Sequence, residues 1–226
     1  MRVHFTVWWD ALIHPDRAAS LVLDRSQPLR FDVFLVLLSC SMYAAYGLTM
    51  GLFRGYLPSA VSSLKLPFLY LFAIGCCLPY IYVMNALIGP RLPLRSCVRL
   101  FLLGLSANAV ALASYAPVSA FFAVTTSSDG GSGYRFLLLM HVVAFSVAGA
   151  ATVGEVSAIF RAVNRGMGKP IRHRFILAFA IMYAFVGTQM AWVLRPWLGS
   201  PDTAYAPLRA IEGSFVEFVY RLVLGL

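Results

Sequence analysis

The chain has 226 residues, of which 60% are hydrophobic and only 12% charged, and its formal net charge is +9. A soluble domain carries about 25% charged residues because its surface faces water, so this composition excludes an ordinary water-soluble globule and requires lipid to cover much of the surface. The basic residues fall in short groups between apolar runs, a pattern that suits anionic lipid headgroups and argues against nucleic acid as a partner.

Residues 1–30 read as a cytoplasmic interfacial segment. Phe5, Trp8, Trp9, Leu12 and Ile13 repeat at helical spacing, and Pro15 is placed to open a second short helix. Asp10, Asp16, Arg17, Asp24 and Arg25 interrupt any uninterrupted apolar region here, so no cleavable signal peptide is expected. The first apolar run is expected to serve as an uncleaved insertion signal.

A five-helix transmembrane domain is predicted over 31–200. Its spans are placed at 33–53, 66–88, 100–124, 136–160 and 175–194, each long enough for a hydrocarbon core of about 30 Å. By these boundaries only the fourth span holds a formal charge, Glu155. Pro67 and Pro79 fall in the second span and Pro117 in the third, where kinks are expected. The loop TTSSDGGSGY after the third span reads as a flexible external turn, not a phosphate-binding loop, because no G-K-[ST] follows.

Charge sets the orientation. Twelve Lys/Arg residues fall on the side of the N-terminus and six on the other, which predicts the N-terminus inside and the C-terminus outside. After the last span, Leu208, Ile211, Phe215, Phe218, Val219 and Leu222 form one apolar stripe, with Arg209, Glu212, Glu217 and Arg221 on much of the remainder. Residues 201–226 are therefore expected to form an amphipathic helix on the outer surface, with a shallow re-entrant helix as the alternative.

Few residues offer chemistry. Cys40, Cys76, Cys77 and Cys97 form no C-x-x-C pair and imply neither a disulfide framework nor a metal site. Glu155, counted from the start of its span, falls near the inner interface, where pairing with Arg99 or Arg161 is a simpler reading than a proton or ion site. His141 and Gln189 fall towards the outer face, and Asn108 lies well inside the third span. His141 has no partner at metal-ligand spacing and reads as a packed or hydrogen-bonded histidine. One mid-helix Asn is a sparse lining for a permeation path. No catalytic residue, metal or cofactor is expected.

Ser146, Ala150, Gly154 and Ala158 repeat every four residues and make a smooth ridge on span four. Such ridges let helices approach closely. Packing against span three is the preferred reading, with docking of a partner helix as the alternative. The box from Trp192 to Pro201 ends the last span with interfacial tryptophans, and Arg195 within it is expected to bind a lipid headgroup or to pair with Glu212 or Glu217.

The stretch Lys65, Leu66, Pro67 through Leu78, Pro79 to Asn85, Ala86, Leu87, Ile88, Gly89, together with the Trp192–Pro201 box, resembles bacterial relatives of the YIP superfamily of Rab-associated, five-span membrane proteins. That resemblance covers most of the chain after Arg30 and implies a membrane-shaping or trafficking scaffold without catalysis. The 30-residue segment before the first span is shorter than the eukaryotic N-terminal domain. The expected function is a non-enzymatic scaffold or accessory subunit of a bacterial inner-membrane complex, with lipids and other membrane subunits as partners. A small transporter or channel component using Asn108 and Glu155 is the alternative, and an intramembrane lipid-processing enzyme the third.

Overall fold

Among the residues described by the computed structural model (2–87, 91–126, 132–166, 173–195 and 197–198), every regular element is helical. The N-terminal segment folds into α1 (Arg2–Ile13) and α2 (Pro15–Leu23). Pro15 opens α2, where its missing N–H costs no hydrogen bond. Five long helices follow: α3 (Leu29–Gly51), α4 (Tyr56–Leu87), α5 (Leu94–Thr125), α6 (Ser132–Gly166) and α7 (His173–Val193). All five are long and apolar enough to cross a membrane, making the chain a multi-pass, all-α membrane protein. Both α4 and α5 continue through their internal prolines.

Helix α5 is the axis of the bundle. It is the most buried of the five, with α3 and α6 on its flanks, while α4 packs on α3 and α7 on α4. The charge at its N-terminal end is correspondingly enclosed. Helix α3 starts four residues before the predicted span, which brings Asp32 inside it. The helices extend beyond the expected spans, so they carry charges besides Glu155: Asp32 near the start of α3 and Arg99 near the start of α5, which pair with each other.

A close helix approach joins α3 to α4. Gly47-Leu-Thr-Met-Gly51 is a small-xxx-small motif whose two glycines press on α4. A Cβ on Gly47 would stand 2.6 Å from the Ser62 carbonyl oxygen, and one on Gly51 would overlap the Ser59 backbone. Ser59 Oγ donates back to the Leu48 carbonyl, adding a polar tie to the contact. The short connection, a 3-10 turn over Leu52–Arg54, is released by Gly55 at φ +107°, a conformation that favours glycine.

Helices α5 and α6 meet at Gly104, against the Val156 side chain. The inward face of α6 is Leu137, His141, Ala144, Ala148, Thr152 and Val156. The predicted packing ridge is not on it. Ser146, Ala150 and Gly154 are exposed and Ala158 is half-buried. Ser146 and Ala148 differ by two positions, or roughly 200° at 3.6 residues per turn, so the two stripes occupy opposite sides of the helix. Small size alone did not choose the face; complementarity to Gly104 and Asn108 did.

The N-terminal helices are docked on the bundle, α2 on α6 and α5 and α1 on α2 and α5. Trp8 is only 1% exposed, and its indole N–H donates to Ser106 Oγ at 2.8 Å. A Trp8→Phe variant keeps most of the ring but loses that bond, at a cost of about 1 kcal/mol. The expected readout is faster proteolytic clipping of residues 1–23, and Ser106→Ala should add little to it in a double mutant.

Candidate functional site

The chemistry concentrates at the end of the bundle that carries α1 and α2. Asp32, one turn into α3, faces the start of α5, where Arg95 and Arg99 lie four residues apart and so on one side of the helix. Arg99 is 1% exposed. Its Nε and Nη2 donate to the two Asp32 carboxylate oxygens at 2.7 and 3.1 Å, a two-pronged pairing for which guanidinium is suited. Its Nη1 donates to the carbonyls of Leu21 and Asp24, both at 2.9 Å. The same arginine thus closes the end of α2 and fastens it to α3 and α5. Arg95 approaches Asp32 from the exposed side, Nε to Oδ2 at 3.2 Å, and donates from Nη2 to the Gln27 carbonyl at 2.9 Å.

Beside this node lies a cleft of about 200 Å³ lined by Asp24, Arg25, Pro93, Arg95, Ser96 and Arg99. Asp24 accepts from the Ser26 amide and hydroxyl and from Gln27 Nε2, so its carboxylate is spent within its own turn. The hydrogen bonds from Ser26 hold the Asp24 carboxyl below its usual range, as the Arg17 hydrogen bond does for Asp10. Each group is deprotonated more readily folded than unfolded. Their contribution is therefore complete above the ordinary aspartate value of 3.8 and is lost as pH falls below it. Hydrogen exchange in α1 and α2 should rise on acidification below that value while the spans stay protected.

A second polar cluster sits midway through the bundle, with one residue from each span. The Tyr43 hydroxyl donates to Asn108 Oδ1 at 2.9 Å and lies 3.0 Å from the Leu105 carbonyl. Asn108 Nδ2 donates to Thr152 Oγ1 at 2.7 Å, and Thr152 in turn donates to the Ala148 carbonyl. Tyr70 stacks on Tyr43 with ring centroids 4.3 Å apart, and buried Tyr183 completes the set from α7. Asn108 is thus a cross-helix connector whose amide is engaged on both sides. The sequence reading singled out Asn108 alone; its partners Tyr43 and Thr152 carry no signal beyond being polar in apolar runs.

The remaining predicted residues are dispersed. Glu155 does not meet Arg99. The Asn108–Thr152 and Gly104–Val156 contacts set the register of antiparallel α5 and α6, which puts Glu155 level with Leu105, roughly 9 Å further along α5 than Arg99. It makes no ion pair among the described residues, and its Oε1 is buried without a hydrogen-bond partner. His141 is buried, with Nδ1 2.6 Å from the Tyr46 hydroxyl and Nε2 without a partner. Gln189 is half-buried on α7.

At the far end, Arg195 lies 3.7 Å over the Trp192 ring. The Trp197 region is held to α4 by Lys65 Nζ on the Leu194 carbonyl at 2.8 Å and by Ser62 Oγ on the Trp197 carbonyl at 2.7 Å. Glu212, Glu217 and the predicted helix over 201–226 lie outside the described residues. Among the described residues no three His, Cys, Asp or Glu side chains gather as a metal site would require. Comparison with protein-family models, with curated proteins and with solved structures gave no match.

Proposed function

We propose that this chain is a non-catalytic scaffold or accessory subunit of a larger bacterial inner-membrane assembly, with its N-terminus in the cytoplasm. The observation that carries the reading is the outward ridge of α6. Ser146, Ala150 and Gly154 are exposed, and nothing lies within 4 Å of where a Cβ would stand on Gly149 or Gly154. A smooth surface of this kind admits a neighbouring helix closely enough for dispersion contacts and weak hydrogen bonds to accumulate. The YIP resemblance implies the same kind of role.

The transporter alternative draws less support, because Asn108, its leading residue, is already engaged by Tyr43 and Thr152. The test is purification of the full chain in mild detergent, with mass spectrometry of what co-migrates and crosslinking from Ala150→Cys. A stoichiometric membrane subunit crosslinked through position 150, and lost on Gly154→Leu, is the expected result. A chain that runs alone and gives no crosslink would overturn the reading.

A further inference from the structure

The strongest unassigned feature is the cleft at the start of α5. Its one carboxylate, Asp24, is already committed to Ser26 and Gln27, and the neighbouring Asp32 to Arg99 and Arg95. Of its three cations Arg99 is fully engaged, but Arg25 and Arg95 keep free donors. Arg25 has no hydrogen-bond or ion-pair partner among the described residues, and Arg95 uses Nε and Nη2 but leaves Nη1 uncommitted. The first turn of α5, opened by Pro93, adds the N–H groups of Leu94 and Arg95, which have no acceptor within the helix. Together with the helix dipole they favour an anion at this point.

Depth indicates the kind of anion. Helix α5 has 32 residues, roughly 48 Å at 1.5 Å per residue, against about 30 Å of hydrocarbon. Centring it leaves about six residues at each end in the headgroup layer, which at this end are 94–99. Leu94, next to Arg95, is 52% exposed and offers apolar surface beside the cationic groups. Guanidinium beside exposed apolar surface at headgroup depth matches a phosphate joined to acyl chains.

We infer that this cleft is a binding site for the phosphate of an anionic phospholipid, seated on Arg25, Arg95 and the first turn of α5, with Arg99 as its buried rear wall. The inference goes beyond the scaffold reading and does not depend on it. Bound lipid would bridge the 24–28 connection to α5 and so fasten the docked α1–α2 unit.

The test uses the full chain in detergent, presented with phosphatidylglycerol or phosphatidylcholine at equal mole fraction and read by native mass spectrometry. Phosphatidylglycerol should be retained in preference, less so as salt is raised. Arg25→Gln should weaken retention by about fivefold, the scale of one basic contact at a membrane surface. Arg25 is exposed and unpartnered, so this variant tests binding without threatening the fold. Arg95→Gln should act in the same direction, and Arg161→Gln, on exposed α6 surface, should change nothing. Equal retention of the two lipids, or Arg25→Gln and Arg95→Gln variants that bind like the parent, would overturn the inference. Soluble glycerol phosphate should not compete at millimolar concentration; displacement by it would assign the phosphate site to a soluble ligand and overturn the lipid assignment.

Discussion

Replacing Asp32 with alanine is expected to destabilise the chain by about 3–5 kcal/mol, the cost of leaving a buried charge without its partner. Arg99 would keep only the Leu21 and Asp24 carbonyls, neither of which carries a formal charge. It is too enclosed to recover the loss from water. Arg99→Met should cost less, because Asp32 retains Arg95 at 3.2 Å, although the ends of α2 and the 24–28 connection lose their donor. The double variant Asp32→Leu/Arg99→Met removes both charges and should recover much of the Asp32→Ala loss. Unfolding in mixed micelles, followed by circular dichroism, measures all three. An Asp32→Ala protein as stable as the parent would show that the pair does not hold this end of the bundle together.

The second large effect is expected at Gly51. Alanine there would drive its methyl into the Ser59 backbone, and backbone cannot rotate aside as a side chain can. Separation of α3 from α4 would also stretch the Ser59–Leu48 hydrogen bond. Overpacking costs about 1–3 kcal/mol where side chains can adjust, so Gly51→Ala should fall at or above the top of that range, with Gly47→Ala slightly milder. Gly149→Ala and Gly154→Ala are the internal controls. Both have open space at the added methyl, and alanine is preferred to glycine in a helix by about 0.5–1 kcal/mol. These two should be neutral or slightly stabilising in the isolated chain. A uniform response across the four glycines would contradict the packing described for α3 and α4.

The membrane class and the five spans were legible in sequence because both rest on one-dimensional properties. A helix crosses lipid when about twenty consecutive residues are apolar enough, whatever their neighbours. Pro15 as a helix start is equally local. The side chosen by a small-residue ridge was not legible. Gly47 and Gly51 have the same four-residue spacing as Ser146, Ala150 and Gly154, yet the first set is buried against α4 and the second faces outward. Spacing says that a smooth face exists, while only a partner helix of matching shape decides whether the chain itself covers it.

Charge followed the same division. The chain's own order of residues determined how many cations lie at each end. Which carboxylate meets which guanidinium depended on the alignment of α3 beside α5, and on α6 running past α5 in a register that leaves Glu155 beyond Arg99's reach. The first span expected from sequence begins at residue 33, one past Asp32, and an isolated carboxylate is costly to bury. Tertiary structure brought Arg99 within 2.7 Å and offset that cost, so Asp32 is enclosed in the bundle rather than left to water.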